Sequence, residues 1–378
     1  MSEMEPIGGI GGADGAEATE GQDNLEQSQE STEAPVVVPR ADLNLVHQHA
    51  SALIDDLSNI PNGDQVGEIV ANALKLLRDQ TNRGDVKLMN KALKELRYAL
   101  KVFAPYRDTR KVSIFGSART LESHDDYRQA AAFGKAMAAA GWMVITGAGG
   151  GIMAAGHGGA GADPSFGLAI RLPFEQRTNT FIENDPKLIN FKYFFTRKLI
   201  FVRSSHAIAL FPGGFGTMDE GFEVLTLIQT GKSAPMPIVF IDRVGGDYWK
   251  SWQEYVEKQL LQRGLIAESD LALYKITDDV DFAVREIRHF YSNFHSVRFA
   301  RDDIVIRLHR PIPESQLREI TGKFSDIKVR GEFRVSGPLP VEKDEPALAA
   351  LTRLVFHFNK RDNGRLRMLI DFLNDLPE

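Results

Sequence analysis

The sequence predicts a doubly wound α/β fold with a mostly parallel sheet, preceded by helices and followed by a small α+β module. Short apolar segments alternate with helical patterns between residues 111 and 262, as in a sheet whose strands are joined by helices. Several of these apolar segments end in glycine-rich turns. Because the carboxyl ends of parallel strands meet at one edge of the sheet, we expect these turns to lie together there.

The first part of the chain divides into a tail and a helical region. Residues 1–39 hold nine acidic residues, no basic residue and few large apolar ones, so we predict a disordered acidic tail over residues 1–40. Apolar residues at helical spacing follow, interrupted at Pro61-Asn62-Gly63 and Asn82-Arg83-Gly84. They predict a helical region over residues 41–105.

The α/β region is predicted to span residues 106–298. Its predicted strands are 112–115, 142–146, 166–170, 207–211 and 237–241, and its predicted helices are 127–140, 152–161, 194–204 and 249–262. A C-terminal α+β module is predicted over residues 299–378, with strands at 304–308, 327–335 and 351–358 and helices at 314–324 and 365–373.

Composition excludes several classes of function for this chain of 378 residues. It has no cysteine, and therefore no disulfide, thiolate nucleophile or cysteine metal site. It has no apolar run of membrane-spanning length and no signal-peptide layout, so we expect a cytoplasmic protein with no membrane partner. The net charge is −6, which leaves +3 outside residues 1–39. A nearly neutral body argues against general nucleic-acid binding.

The most informative segment is the turn Pro212-Gly213-Gly214-Phe215-Gly216-Thr217, which follows a predicted buried strand and opens a predicted helix. Glycines at such a turn let a ligand approach the backbone, and the helix N-terminus offers unpaired N–H groups to a phosphate. Thr217 adds a hydroxyl, and Glu220 lies in the first helical turn. The segment predicts a phosphate-binding turn with a carboxylate beside it.

A second glycine-rich turn contains Gly149, Gly150, Gly151 and Met153. It fits the loose G-x-G-x-x-G/A dinucleotide pattern, with Glu175 about 20 residues further on as a candidate ribose ligand. Glycines that serve only tight packing of the turn would look the same. The chain has no G-x-x-x-x-G-K-[ST] sequence, which argues against a P-loop phosphotransferase.

Arg197 and Lys198 are adjacent bases on a largely apolar predicted helix. A buried charge must be paired, so Arg197 is expected either to face the phosphate-binding edge or to pair with Glu220. A pair of bases on the surface of the helix is the remaining alternative.

Together, Gly116-Ser117-Ala118-Arg119, the Gly149–Met153 turn, Arg197-Lys198 and the turn ending at Glu220 resemble the LOG (Lonely Guy) family over roughly residues 110–265. Its members are nucleoside 5′-monophosphate phosphoribohydrolases with a Rossmann-like fold. The resemblance implies that Arg197 and Glu220 are catalytic. It implies substrate-binding roles for Gly116, Ser117, Arg119, Gly149, Gly150, Met153, Glu175, Lys198, Gly213, Gly214, Gly216, Thr217 and Thr226.

The resemblance implies hydrolysis of the N-glycosidic bond of a nucleoside 5′-monophosphate to a free base and ribose 5-phosphate. It further implies a homodimer or higher homo-oligomer, and we expect neither a cofactor nor a metal. The alternative is a non-catalytic carrier of a nucleotide or of the molybdenum cofactor, because such carriers share the fold and the glycine-rich turn. Similar sequences have also been labelled lysine decarboxylases, for which Lys198 is the only obvious Schiff-base candidate.

Overall fold

The computed structural model describes residues 40–57, 59–170 and 178–377. The predicted acidic tail, apart from Arg40, lies outside these residues. The described residues divide into two compact units, one within residues 40–90 and one within residues 91–377. The domain boundaries predicted from the sequence remain predictions.

The described part of the first unit is helical, as predicted. Helix α1 spans Arg40–Leu57, α2 spans Gly63–Arg78, and α3, which spans Arg83–Phe103, continues into the second unit. Asn62 enters α2 with a left-handed φ of 63°. Gly67 lies against Ile54, where a Cβ would come within 2.9 Å of the isoleucine side chain. This glycine therefore lets α1 and α2 pack closely.

The second unit contains a sheet of seven parallel strands, which confirms the predicted fold class. The strands are β1 Lys111–Phe115, β2 Met143–Thr146, β3 Ser165–Ile170, β4 Leu188–Phe191, β5 Ala207–Leu210, β6 Ile238–Ile241 and β7 Tyr274–Thr277. Their order is β4-β3-β2-β1-β5-β6-β7. The central strands are buried over their whole length, as expected when helices cover both faces of a sheet.

The helices of this sheet are α4 Asp125–Ala139, α5 Ile152–Ala160, α6 Phe194–Ser204, α7 Phe215–Gln229, α8 Tyr248–Tyr255 and α9 Val280–Phe290. After α8 the chain continues as a π-helical segment, Val256–Leu261. The sequence predicted most of these elements within two residues. It missed β4, β7 and α9, and it extended α8 over the π-helical segment as one regular helix.

The strand order reverses at β1, because the chain runs outward through β2, β3 and β4 and then returns to β5 on the other side of β1. Ligands of open α/β sheets bind at such a switch point. Here the two strand ends are joined by backbone hydrogen bonds from Phe211 N to Phe115 O (2.8 Å) and from Ser117 N to Pro212 O (3.0 Å). The turns that follow β1 and β5 therefore lie side by side.

The C-terminal part forms an antiparallel sheet of order β10-β11-β9-β8. Its strands are β8 Phe294–Ala300, β9 Asp303–Leu308, β10 Lys328–Ser336 and β11 Thr352–Phe358, and its helices are α10 Glu314–Phe324 and α11 Asn363–Asp375. The sequence did not predict β8, which spans the predicted boundary at residue 298. Among the buried residues are Arg307 and Arg353, both paired with the buried carboxylate of Glu342.

Candidate active site

The turn between β5 and α7 is tightly packed at Gly213 and open to solvent at Gly214 and Gly216. A Cβ at Gly213 would lie 2.7 Å from Thr217 Cβ and 3.0 Å from Ser117 N, so this position admits only glycine without a shift of its neighbours. At Gly214 and Gly216 a Cβ would meet open space. The open side exposes the first turn of α7, where backbone N–H groups have no partner within the helix. The turn is thus shaped to receive an anion.

Tyr248 fixes the backbone of this turn through a hydrogen bond. Its hydroxyl, on the first residue of α8, donates a hydrogen bond to Gly213 O at 2.5 Å. Burial raises the pKa of Tyr248, so its hydroxyl stays protonated and able to donate. The sequence analysis missed this residue. A tyrosine at the start of a helix has no distinguishing motif, and only the tertiary structure brings it within reach of residue 213.

The turn after β2 packs on the turn after β1. Gly151 has a left-handed φ of 59°, and a Cβ there would come within 2.7 Å of the carbonyl carbon of Ala118. A Cβ at Gly150 would lie 3.3 Å from Ala118 O, and Ile152 N donates to Ser117 O at 3.0 Å. Close packing therefore accounts for Gly150 and Gly151, and the dinucleotide pattern is not needed to explain them.

A buried, neutral histidine helps to fix the turn after β2. His157 is fully buried, and burial lowers its pKa. Its Nε2 lies 3.0 Å from Phe166 O, which can only accept, so Nε2 carries the proton. Nδ1 then accepts from Asn179 Nδ2 at 3.2 Å, and the same amide donates to Gly149 O at 3.0 Å. His157 and Asn179 therefore hold the backbone at Gly149 in place.

Lys198 lies among three carboxylates of α7. Its Nζ is 2.6 Å from Glu223 Oε2, 2.9 Å from Asp219 Oδ2 and 3.5 Å from Glu220 Oε2. Burial alone would lower the pKa of Lys198. Its hydrogen bonds to Glu223 and Asp219 and the charge of Glu220 outweigh that effect, so the net shift of the pKa is upward. Lys198 is therefore held as an ammonium ion that fastens α6 to α7.

Glu220 is the buried member of this group, at 7% exposure. Among the described residues its Oε2 has no hydrogen-bond partner, although the ammonium of Lys198 lies nearby. Burial raises the pKa of Glu220, and the charges of Lys198 and Arg197 oppose that rise without cancelling it. A buried carboxylate with a free lone pair and a raised pKa is suited to act as a base or to stabilise a cation.

The expected pairing of Arg197 with Glu220 takes a different form in the structure. Arg197 Nε donates to Leu168 O, in β3, at 2.7 Å. Its guanidinium lies against Gly147, where a Cβ would be 2.5 Å from Nη2 and 2.7 Å from the sulfur of Met153. Within the described residues Glu220 is ion-paired with Lys198, and the charge of Arg197 opposes the rise in the pKa of Glu220. Arg197 therefore faces the carboxyl-end edge of the sheet.

Glu95, on α3, anchors the N-terminal end of α6. It is buried at 4% exposure and accepts hydrogen bonds from Lys192 N (2.8 Å) and Thr196 Oγ1 (2.7 Å). Lys91 Nζ lies 3.6 Å from the same carboxylate. Thr196 directly precedes Arg197, so this contact fixes the helix that carries both bases. The sequence analysis gave Glu95 no role, because one acid on a charged helix has no pattern that marks it as buried.

The other predicted site residues are placed as follows. Gly116 follows β1 and packs against Ile152, with a Cβ position 2.6 Å from that side chain. Arg119 is exposed, and its backbone N–H donates to Ser117 Oγ at 3.1 Å. Thr226 is exposed one turn beyond Glu223, and no described contact joins it to the Lys198 group. Glu175 lies outside the described residues.

Two kinds of feature are missing from the described residues. No group of three or more histidine, aspartate or glutamate side chains there is arranged to hold a metal ion. None of the described helices combines the length and the apolar character that crossing a membrane requires. The cytoplasmic location predicted from the sequence remains a prediction.

Comparison with known proteins adds a family assignment. Residues 150–287 match the family model described as "Possible lysine decarboxylase", which covers the LOG family. This segment is therefore similar to the LOG family. The resemblance inferred from the glycine-rich turns, Arg197-Lys198 and Glu220 is thereby confirmed. The LOG-family match begins at the turn after β2 and ends in α9.

Solved structures with some likeness to the chain include two proteins that handle the molybdenum cofactor. The molybdenum cofactor carrier protein of Chlamydomonas reinhardtii is 19% identical, with 48% of this chain and 96% of that chain covered and a TM-score of 0.35. The molybdenum cofactor binding protein of the phototrophic bacterium Rippkaea orientalis is 17% identical, with the same two coverages and a TM-score of 0.35. No curated protein matches the chain.

Proposed function

We propose that this protein hydrolyses the N-glycosidic bond of a nucleoside 5′-monophosphate, releasing a free base and ribose 5-phosphate. The main support for the proposal is the buried Glu220 carboxylate, which lies near the start of α7, the helix that begins in the Gly213–Thr217 turn. A 5′-phosphate on that turn would place the ribose over Glu220. The LOG-family assignment of residues 150–287 supports the same reaction.

The chemistry follows from where charge develops. As the bond from C1′ to the base nitrogen breaks, the electron pair leaves with the base, and the ribose acquires oxocarbenium character. The carboxylate of Glu220 stabilises that positive charge and takes a proton from the water whose oxygen bonds to C1′, and the departing base takes up a proton from solvent. Burial raises the pKa of Glu220 and makes it a stronger base than an exposed glutamate, while the charge of Lys198 opposes that rise and favours the ionised form.

The name of the family model suggests another reaction, which the lysine itself argues against. A Schiff-base lysine must lose its proton to attack a carbonyl carbon. Lys198 is held by three carboxylates, and the net effect on its pKa is upward. Its nitrogen is therefore protonated and occupied, which supports the hydrolase over an amino-acid decarboxylase built on Lys198.

We further propose that the protein is a homo-oligomer, at least a dimer. Large apolar side chains on α6 and α7 are exposed beside the candidate site, and the most exposed of them is Phe215 at 96%. The others are Phe194, Phe195, Leu199 and Phe222. An apolar surface of this kind is typical of a protein–protein contact. Light scattering of the purified chain coupled to gel filtration measures its mass, and a monomer across the micromolar range would contradict this proposal.

The test of the reaction is direct. Purified protein is incubated with AMP, GMP, CMP, UMP and a cytokinin monophosphate, and free base and ribose 5-phosphate are measured by chromatography. We expect release from at least one substrate, loss of turnover in Glu220→Gln, and substantial turnover in the matched control Glu223→Gln. The control removes a carboxylate from the same Lys198 group, one turn further along α7.

Two outcomes would count against the hydrolase. If no nucleotide releases base although one binds tightly, the protein is better described as a carrier of a nucleotide or of the molybdenum cofactor. If Glu220→Gln turns over as fast as wild type, Glu220 has no part in the chemistry. Circular dichroism of each variant shows whether a loss of activity reflects a loss of folding.

A further inference from the structure

A cavity of about 310 Å³ lies beyond the C-terminal end of α7, away from Glu220. Its lining comes from the chain after α7, from the β8–β9 hairpin and from the segment between the end of β11 and the start of α11. The lining residues used below are Thr230, Gly231, Lys232, Arg301, Lys360 and Asn363. Nine residues of helix, or roughly 14 Å, separate Glu220 from the end of α7 at Gln229. The cavity is therefore separate from the candidate active site.

The charge around this cavity is predominantly positive. The three cations Lys232, Arg301 and Lys360 are exposed. Within the described part of the chain, the one ion pair that they make joins Lys360 Nζ to Asp302 Oδ1 at 3.7 Å. Asn363, at the N-terminus of α11, adds the positive end of that helix dipole. Two of the three cations thus face the cavity without an acidic partner.

Two of these cations also occupy an unusual backbone conformation. Arg301 has a φ of 59° and Lys360 a φ of 61°, in the left-handed region where glycine or asparagine is normally found. Residues kept in such conformations are concentrated at functional sites. The stability of the two turns does not explain why these residues are arginine and lysine, since glycine would adopt both conformations with less strain.

We propose that this cavity binds the di- or triphosphate group of a small molecule. Three cations around so small a volume call for a ligand that carries several negative charges within a few ångströms, and the guanidinium of Arg301 can bind two phosphate oxygens at once. The Thr230 hydroxyl supplies a further donor. The volume suits a small molecule and not a folded partner.

The tertiary structure ties the cavity to the LOG-family segment. Asn363, which is buried, donates from Nδ2 to Gln229 O at 2.9 Å, at the last residue of α7. Gly231 turns the chain there with a left-handed φ of 68°, and a Cβ would lie 3.3 Å from Asn363 Nδ2. A ligand held between Lys232 and Lys360 therefore bridges the end of α7 and the C-terminal sheet.

Calorimetric titration of the full-length protein with sodium tripolyphosphate, at fixed ionic strength, tests the proposal. We expect Lys232→Ala/Lys360→Gly to weaken binding by more than about tenfold. The control Lys258→Ala/Arg318→Ala removes two exposed cations elsewhere and is expected to bind like wild type. Equal affinity in the cavity variant and the control would overturn the proposal.

Two further variants separate the cavity from folding and from the active site. Lys360→Gly relieves the left-handed strain, so it is expected to raise the melting temperature and yet weaken tripolyphosphate binding. Gly214→Asp places a carboxylate at the open phosphate turn, and this variant is expected to retain binding at the cavity. If Gly214→Asp abolishes all binding, or Lys360→Gly binds like wild type, the anion does not occupy this cavity.

Discussion

Gly213 and Gly214 are adjacent glycines with opposite surroundings, and alanine at each position should give opposite results. A Cβ at Gly213 would lie 2.7 Å from Thr217 Cβ and 3.0 Å from Ser117 N. Carbon atoms in contact normally stay about 3.5–4.0 Å apart, so the overlap is about 1 Å. Gly214 has a φ of −89° and open space at its Cβ position. Gly213→Ala must therefore move its neighbours, and Gly214→Ala need not.

Overpacking of this kind costs about 1–3 kcal/mol. For a unit of this size that lowers Tm by roughly 2–10 °C. Because the neighbours that move are Thr217 and the backbone of Ser117, Gly213→Ala should also raise KM for a nucleotide more than it lowers kcat. Gly214→Ala should keep the Tm of wild type. Thermal unfolding followed by circular dichroism and initial rates with the best nucleotide measure both effects.

The reasoning fails if the two variants behave alike. Equal melting temperatures would mean that the turn relaxes freely, and that Gly213 is not fixed between Thr217 and Ser117. A loss of stability in Gly214→Ala as large as that in Gly213→Ala would mean that the turn needs glycine for its backbone conformation and not for space.

Three other variants test the support of the site. Lys198→Met removes the strongest opposing charge on Glu220, so the pKa of Glu220 should rise and the acid limb of kcat/KM should move to higher pH; an unmoved limb contradicts this. Tyr248→Phe should cost about 1 kcal/mol by denaturant unfolding and raise KM, because Gly213 O loses its donor. Glu95→Ala removes the acceptor of Lys192 N and of Thr196 Oγ1 and should cost about 1–3 kcal/mol in the same assay, whereas a smaller cost would refute its anchoring role.

The sequence was sufficient for the parts of the fold that repeat a strong pattern. Apolar strands that lead into glycine-rich turns, such as β1, β2 and β5, were predicted within one residue, because burial on both faces leaves a continuous apolar run. Strand β7 was missed because three of its four residues are only partly buried. Strand β8 was missed because its residues are mostly half-exposed and so form no continuous apolar run.

The candidate site shows the same division. The turns at the carboxyl-end edge of the sheet carry glycine patterns that a single sequence reveals. Tyr248 and His157, which fix two of those turns, and Glu95, which anchors α6, bond to residues 35, 22 and 101 positions away in the chain. No local sequence pattern indicates contacts between residues so far apart in the chain. The sequence also left the environment of Arg197 open between the phosphate-binding edge, Glu220 and the helix surface. Side-chain direction on the helix, which adjacency in sequence does not reveal, places Lys198 beside Glu220.

The hydrogen bond from Ser117 N to Pro212 O limits when the two turns can form during synthesis on the ribosome. The two turns that it joins are synthesised far apart in time, since a ribosome that adds about 5–20 residues per second needs roughly 5–20 s to pass from one to the other. During that interval β1 has emerged without β5, its neighbour in the finished sheet. A nascent chain therefore acquires its anion-binding turn only after α7 has emerged, and nucleotide binding would report that this half of the sheet has closed.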